Sequence, residues 1–149
     1  MVLDSTWNTG PLTRTERFLL KLAAPAPSII PARSLPALMA RASAVTPEAR
    51  SDATRAFSHM TKKQFIEVWK ATVMFVDPDP SYRTSIPLCL IRGAHDKTGN
   101  IATAMPRWAD TVGATEHVVP GAGHLVTQDA PDAVTAIMQA FLATIPNAA

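Results

Sequence analysis

Two short loops in the second half of the chain carry residue types that can move a proton. The segment Gly93-Ala-His-Asp96 follows one apolar run, and Gly121-Ala-Gly-His124 follows another. A histidine can act as a general base near neutral pH, and a carboxylate can orient it and stabilise its charged form. The pattern therefore indicates acid–base chemistry, with Asp96 as the orienting acid and His124 as the base.

Each loop also has a simpler interpretation. Asp96 could form only an Asx turn before the next helix, and His124 could only cap its own loop. A dinucleotide-binding fingerprint is excluded for the glycines before His124, because Val126 stands at the third glycine position and Pro120 lies in the turn. His95 is expected to point away from its neighbour Asp96.

The elements around these loops predict where they lie. The apolar run 87–92 is typical of a buried parallel strand, and residues 116–119 predict a second strand. Helices are predicted over residues 100–112 and from Pro131 onward, so the order is strand, helix, strand, helix, as in α/β proteins. Because parallel strands end at one edge of a sheet, the two loops are expected to meet there.

The first half of the chain differs from the second in composition and in predicted secondary structure. Residues 10–80 are rich in proline and are predicted to be helical, with helix starts at Thr13, Thr46 and Thr61, each a hydroxyl residue that can cap a helix. The segment Asp77-Pro78-Asp79-Pro80 ends this region, since a residue before proline avoids the helical conformation.

Composition excludes several classes of protein. The net charge is +2 over 149 residues and the basic residues are scattered, which predicts neither nucleic acid nor a membrane as a partner. No apolar run approaches the roughly 20 residues of a membrane span, and residues 1–7 lack signal-peptide features, so a cytoplasmic protein is expected.

The four histidines have no metal-ligand spacing, so we expect neither a metal nor a cofactor. The single cysteine, Cys89, lies inside a predicted strand and is interpreted as a core residue.

Together these segments resemble the C-terminal part of an α/β-hydrolase. Residues 86–100 are similar to the penultimate strand and acid loop of that family, and residues 118–124 with Asp129-Ala-Pro131 are similar to its last strand, histidine loop and final helix. Residues 2–4 resemble the strand that precedes the helical cap, and residues 10–80 resemble the cap itself.

The resemblance implies an α/β fold: the C-terminal part of a hydrolase sheet with a helical cap, lacking the N-terminal strands and the nucleophile elbow. Residues 1–9 would be the strand entering the cap, 10–80 the cap, and 81–149 the C-terminal part of the core. The implied reaction is hydrolysis of an ester, lactone or similar acyl compound by a Ser-Asp-His triad. His124 would relay the proton and Asp96 would orient it, with Asp4 as the rival acid because some members carry the carboxylate before the cap.

The nucleophile of such a triad is absent from the chain. No Gly-x-Ser-x-Gly occurs, and no serine is predicted on a strand-to-helix turn, so the chain alone is expected to be inactive. It could be part of a longer hydrolase, a non-catalytic binding module or pseudoenzyme that uses the cap pocket, or one half of a two-chain hydrolase. An open sheet edge is expected to support self-association or binding of an N-terminal partner chain.

The cap also predicts the kind of substrate. Its large apolar residues, among them Phe65, Val68 and Trp69, are interpreted mainly as packing. Trp69 and Leu125 are nevertheless predicted to line a pocket above His124. An apolar roof favours a small apolar acyl substrate.

Overall fold

A computed structural model describes residues 2–4, 12–74, 76 and 84–145. Strands β1 (Val2–Asp4), β2 (Cys89–Gly93) and β3 (Thr115–Val119) form one parallel sheet in the order β1-β2-β3. Asp4 pairs with Ile91, and Gly93 pairs with Val119. The loops that follow β2 and β3 therefore leave the sheet at one edge, as the sequence predicted.

Strand β2 is buried on both faces, which explains its continuous apolar sequence. Helix α5 (Ile101–Val112) covers one face, and helices α6 (Val126–Asp129) and α7 (Pro131–Ala143) cover the other. The core beside α5 consists of Leu90, Ile101, Met105, Trp108 and Ala109. The core beside α6 and α7 consists of Cys89, Ile91, Val119, Ala122, Val126 and Val134. Successive residues of β2 thus alternate between two cores, so the strand is fixed in register from both sides.

In the described residues between β1 and β2 there are four α-helices, and we call them the cap helices. They are α1 (Arg14–Ala23), α2 (Leu35–Ser43), α3 (Pro47–Ser58) and α4 (Lys62–Met74), with a 3-10 turn at Ala26–Ile29. The predicted helix starts are confirmed, because Thr13, Thr46 and Thr61 each accept a hydrogen bond from a backbone amide of the first turn. At Thr13 and Thr61 the third residue along returns a side-chain bond, which completes a capping box.

The cap buries less apolar surface than its helical pattern suggests. Helix α1 buries none of its residues, and Phe18 and Leu22 on its apolar face are 60% and 54% exposed. No helix in the described part of the chain is long and apolar enough to cross a lipid bilayer.

Candidate active site

The acid loop and the histidine loop are joined directly to each other. The Ala94 amide donates to the Val119 carbonyl, and the His95 amide donates to the Ala122 carbonyl, both at 2.9 Å. Gly93 makes this approach possible, since a Cβ at that position would overlap the backbone of Ala122 and Gly123. The two loops therefore form one unit at the carboxyl edge of the sheet.

Asp96 and His124 meet within this unit. Nδ1 of His124 lies 3.1 Å from Oδ2 of Asp96, while the Thr98 amide donates to Oδ1 at 2.8 Å. The Asp96 side chain is fully buried, whereas the imidazole remains 29% exposed. Because an ionised carboxylate only accepts hydrogen bonds, Nδ1 is the donor in this pair, and in the neutral form of the imidazole the lone pair is then on Nε2. The arrangement orients one exposed nitrogen to accept a proton.

Asp96 stays ionised in spite of its burial. Burial by itself raises the pKa of the carboxyl group, but the hydrogen bonds from His124 and from the Thr98 amide together hold the pKa below its ordinary value of 3.8. A buried negative charge beside the imidazole stabilises the protonated form of His124 once it has taken up a proton.

A cleft of about 860 Å³ opens beside His124. Its wall includes the predicted substrate-binding residues Trp69 and Leu125, and its apolar part is completed by Met39, Phe57, Met60, Phe65 and Val68. The Trp69 ring stacks on Phe65, and its Nε1–H donates to the Ala23 carbonyl at 2.8 Å. His95 also lines this cleft.

Other candidate residues occupy less suitable places. Asp4 ends β1 at the same sheet edge, but its side chain lies outside the described residues. Cys89 is buried in the core beside α7, where burial raises the pKa of its thiol, so its interpretation as a core residue is confirmed. Of the described serines only Ser43 lines the cleft, and it ends a helix instead of following a strand. No group of three or more metal-ligating side chains comes together in the part of the chain that the structure describes.

One residue at the site was not singled out from the sequence. Asp129 accepts hydrogen bonds from the Gly123 amide beside His124 and from Val45 and Thr46 of the cap. The sequence offers only its position, five residues after His124 and two before Pro131. Its partners in the cap lie more than eighty residues away in the chain, so they could not be recognised from the sequence.

Comparison with known proteins agrees with this fold. The model of the alpha/beta hydrolase family matches residues 1–137, which is most of the chain. This chain belongs to the α/β-hydrolase family. No curated protein matches this α/β-hydrolase chain in sequence.

Solved structures share the fold of this α/β-hydrolase chain at low identity. An esterase from Thermogutta terrifontis is 19% identical with a TM-score of 0.65, and 95% of the chain covers 54% of that protein. A protein described as a non-heme bromoperoxidase, from Mycobacterium tuberculosis, is 23% identical with a TM-score of 0.62, with 95% and 56% covered. A bacterial membrane phospholipase A is 16% identical with a TM-score of 0.62, with 99% and 49% covered. The chain spans about half the length of these proteins.

The ionised Asp96 predicts a loss of stability in acid. A carboxyl whose pKa is lower in the folded than in the unfolded state stabilises the fold above its unfolded pKa, and that contribution is lost as the pH falls through the folded pKa. Asp96 and Asp129 both have lowered pKa values, so we expect the thermal unfolding midpoint to fall steeply below about pH 4. Melts followed by circular dichroism across that range measure the slope. Asp96→Asn should flatten it, and an unchanged slope in that variant would mean that Asp96 does not contribute.

Proposed function

We propose that this chain supplies the acid, Asp96, and the base, His124, of a serine-type hydrolase whose nucleophile lies outside these 149 residues. The observation that carries the proposal is the bond of 3.1 Å between a fully buried carboxylate and an imidazole that faces an apolar cleft. Burial of an ionised carboxylate costs free energy, and such unfavourable groups are found mainly at functional sites. Here the buried charge orients a partly exposed histidine that can accept a proton.

The proposed chemistry follows from the free nitrogen. Nε2 of His124 would take the proton from a serine hydroxyl as its oxygen attacks the acyl carbonyl, and would then give that proton to the leaving oxygen. In the second half of the reaction Nε2 would take a proton from water as the water oxygen attacks the acyl-enzyme, and would give that proton to the serine oxygen as its bond to the acyl group breaks and the acid product leaves. Throughout, the negative charge of Asp96 offsets the positive charge that develops on the imidazole.

The lining of the cleft favours an apolar substrate. Its wall contains aromatic rings, methionines and Val68, which bind hydrocarbon groups by excluding water, together with the charged side chains of Arg41, Arg50 and Lys97. We propose a small apolar ester, lactone or related acyl compound, whose acyl or alcohol part occupies this wall while the carbonyl lies at His124. Trp69 and Leu125 are the proposed contacts, because both lie on the wall of the cleft that holds His124.

The open side of β1 is the proposed place of attachment for the strands that carry the nucleophile. Strand β1 pairs with β2 on one side, and no described strand pairs with its other side. An open parallel edge can accept further strands through its unpaired backbone groups. We propose that the strands which carry the nucleophile elbow add to β1, either as a continuation of the same chain or as a separate N-terminal partner.

The proposal is tested by supplying those strands. The DNA upstream of Met1 is sequenced, and the chain is expressed alone and joined to the segment encoded there (hereafter the joined protein). We expect a strand, a Gly-x-Ser-x-Gly turn and a helix in that segment. The joined protein should hydrolyse p-nitrophenyl acetate and butyrate, and the chain alone should not.

Two results would overturn the proposal. A stop codon and a ribosome-binding signal directly before Met1, with no partner that restores turnover, would favour a binding module that uses the cleft. A joined protein that carries the elbow but stays inert would show that Asp96 and His124 do not serve this chemistry.

A further inference from the structure

A single carboxylate joins the cap to the histidine loop. We call residues 43–46, which connect α2 to α3, the cap junction. Oδ1 of Asp129 accepts hydrogen bonds from the Thr46 amide at 2.8 Å and from the Thr46 hydroxyl at 2.9 Å, and the Val45 amide lies 3.0 Å from both carboxylate oxygens. Oδ2 accepts a hydrogen bond from the Gly123 amide at 2.8 Å. One side chain therefore satisfies three backbone amides from two distant segments, which would otherwise need other partners.

These bonds hold the chain on both sides of His124. Asp129 binds the amide of Gly123, which precedes the histidine, and the amide of Leu125, which follows it, donates to the Ser43 carbonyl at 2.9 Å. The Asp129 amide in turn donates to the Leu125 carbonyl at 2.9 Å. The backbone of His124 is thus fixed to the cap junction at both neighbouring residues.

The surroundings of Asp129 favour a negative charge. Its Oδ1 lies at the N-terminal end of α3, where Thr46 is the N-cap and the helix dipole attracts an anion. Burial alone would raise the pKa of Asp129, but the amides of Thr46, Gly123 and Val45 hold it below its ordinary value. Hydrogen bonds to a charged acceptor are roughly twice as strong as neutral ones, so this junction is stronger than its few bonds suggest.

Gly123 makes room for the junction. A Cβ at Gly123 would lie 3.0 Å from the Ser43 carbonyl oxygen and 3.3 Å from Oδ2 of Asp129, which is closer than side chains normally approach. The cap junction, the carboxylate and the histidine loop therefore pack against one another without an intervening side chain.

We propose that Asp129 is a positioning residue that holds the imidazole of His124 against Asp96 and couples this placement to the seating of the cap above the cleft. Its significance for catalysis rests on the proposed role of His124 as the base. The placement itself can be measured without turnover, so failure of this inference and failure of the proposed function give different results.

The test is Asp129→Asn in the full 149-residue chain, with Asp132→Asn as the matched control. Asp132 is exposed in the first turn of α7, so the control removes the same charge three residues away. NMR measures the low-field proton on Nδ1 of His124 and the exchange rates of the Val45 and Gly123 amides. In Asp129→Asn we expect loss of the imidazole signal and at least about tenfold faster amide exchange, with the helical circular dichroism retained. The Asp132→Asn variant should match the wild type.

A second pair of variants keeps the inference testable if Asp129→Asn does not fold. Thr46→Val removes the hydroxyl bond to Asp129, and Thr46→Ser keeps it. We expect Thr46→Val to weaken the imidazole signal and Thr46→Ser to restore it.

The inference is overturned if a folded Asp129→Asn variant keeps the imidazole signal, because Asp129 would then only stabilise the fold. An unchanged signal in Thr46→Val would overturn it equally if the asparagine variant is unfolded. If Asp129 controls the signal but the joined protein hydrolyses esters without His124, the positioning role stands and the proposed function fails.

Discussion

Substitution of His124 by alanine in the joined protein is expected to lower kcat/KM by at least about 10⁴-fold, because the base of a triad acts as a unit with its nucleophile. The remaining turnover would come from substrate binding and from whatever stabilises the oxyanion. Steady-state hydrolysis of p-nitrophenyl esters measures the effect. His95→Ala is the matched control, since His95 lines the same cleft but makes no side-chain bond to Asp96. If His95→Ala loses activity and His124→Ala keeps it, the base has been assigned to the wrong histidine.

The acid is tested by Asp96→Asn in the same protein, for which we expect a loss of about 10²- to 10⁴-fold in kcat/KM. The amide nitrogen of asparagine would donate to Nδ1 of His124, which forces the proton onto Nε2 and removes the lone pair that accepts it. Asp4→Asn is the control, because Asp4 also ends a strand at this edge of the sheet. Full turnover in Asp96→Asn together with inactivity in Asp4→Asn would make Asp4 the acid.

The site could be predicted from the sequence because its determinants are local. Asp96 and His124 each follow a strand within five positions, and parallel strands deliver such residues to one edge without any knowledge of the remaining contacts. The helix starts were equally accessible, since Thr13 and Thr61 form their capping bonds with residues only three positions away.

Burial was harder to predict than helix formation. The spacing of Phe18 and Leu22 predicts an amphipathic helix, and the helix is present, yet both side chains are more than half exposed. Leu38 in α2 is likewise 49% exposed. Periodicity states which residues share a face of a helix, but the neighbour that covers this face is a property of the tertiary structure.

Long-range polar contacts were not accessible at all. Nothing near Asp129 in the sequence indicates that its partners are Val45 and Thr46, since these contacts arise only when the cap packs on the histidine loop.

Gly93→Ala is expected to destabilise the chain by about 3 kcal/mol or more, at the upper end of what overpacking costs. Gly93 ends β2 where the acid loop touches the histidine loop, and its added methyl group would meet the backbone carbonyl groups of Ala122 and Gly123. A flexible side chain could rotate away, but these carbonyl groups cannot move unless the bond from the His95 amide to Ala122 breaks and His124 shifts. Chemical denaturation followed by circular dichroism measures the loss of stability.

Gly113→Ala separates this steric effect from the ordinary cost of replacing a glycine. Gly113 ends α5 with φ at +65° and has open space around it, so alanine there should cost only the roughly 1–2 kcal/mol of a left-handed backbone conformation. The His124–Asp96 imidazole signal should persist in Gly113→Ala and disappear in Gly93→Ala, because only Gly93 lies between the two loops. Equal destabilisation by the two substitutions, with the signal retained in both, would mean that the loops tolerate a side chain between them. The close approach that holds Asp96 on His124 would then not depend on Gly93.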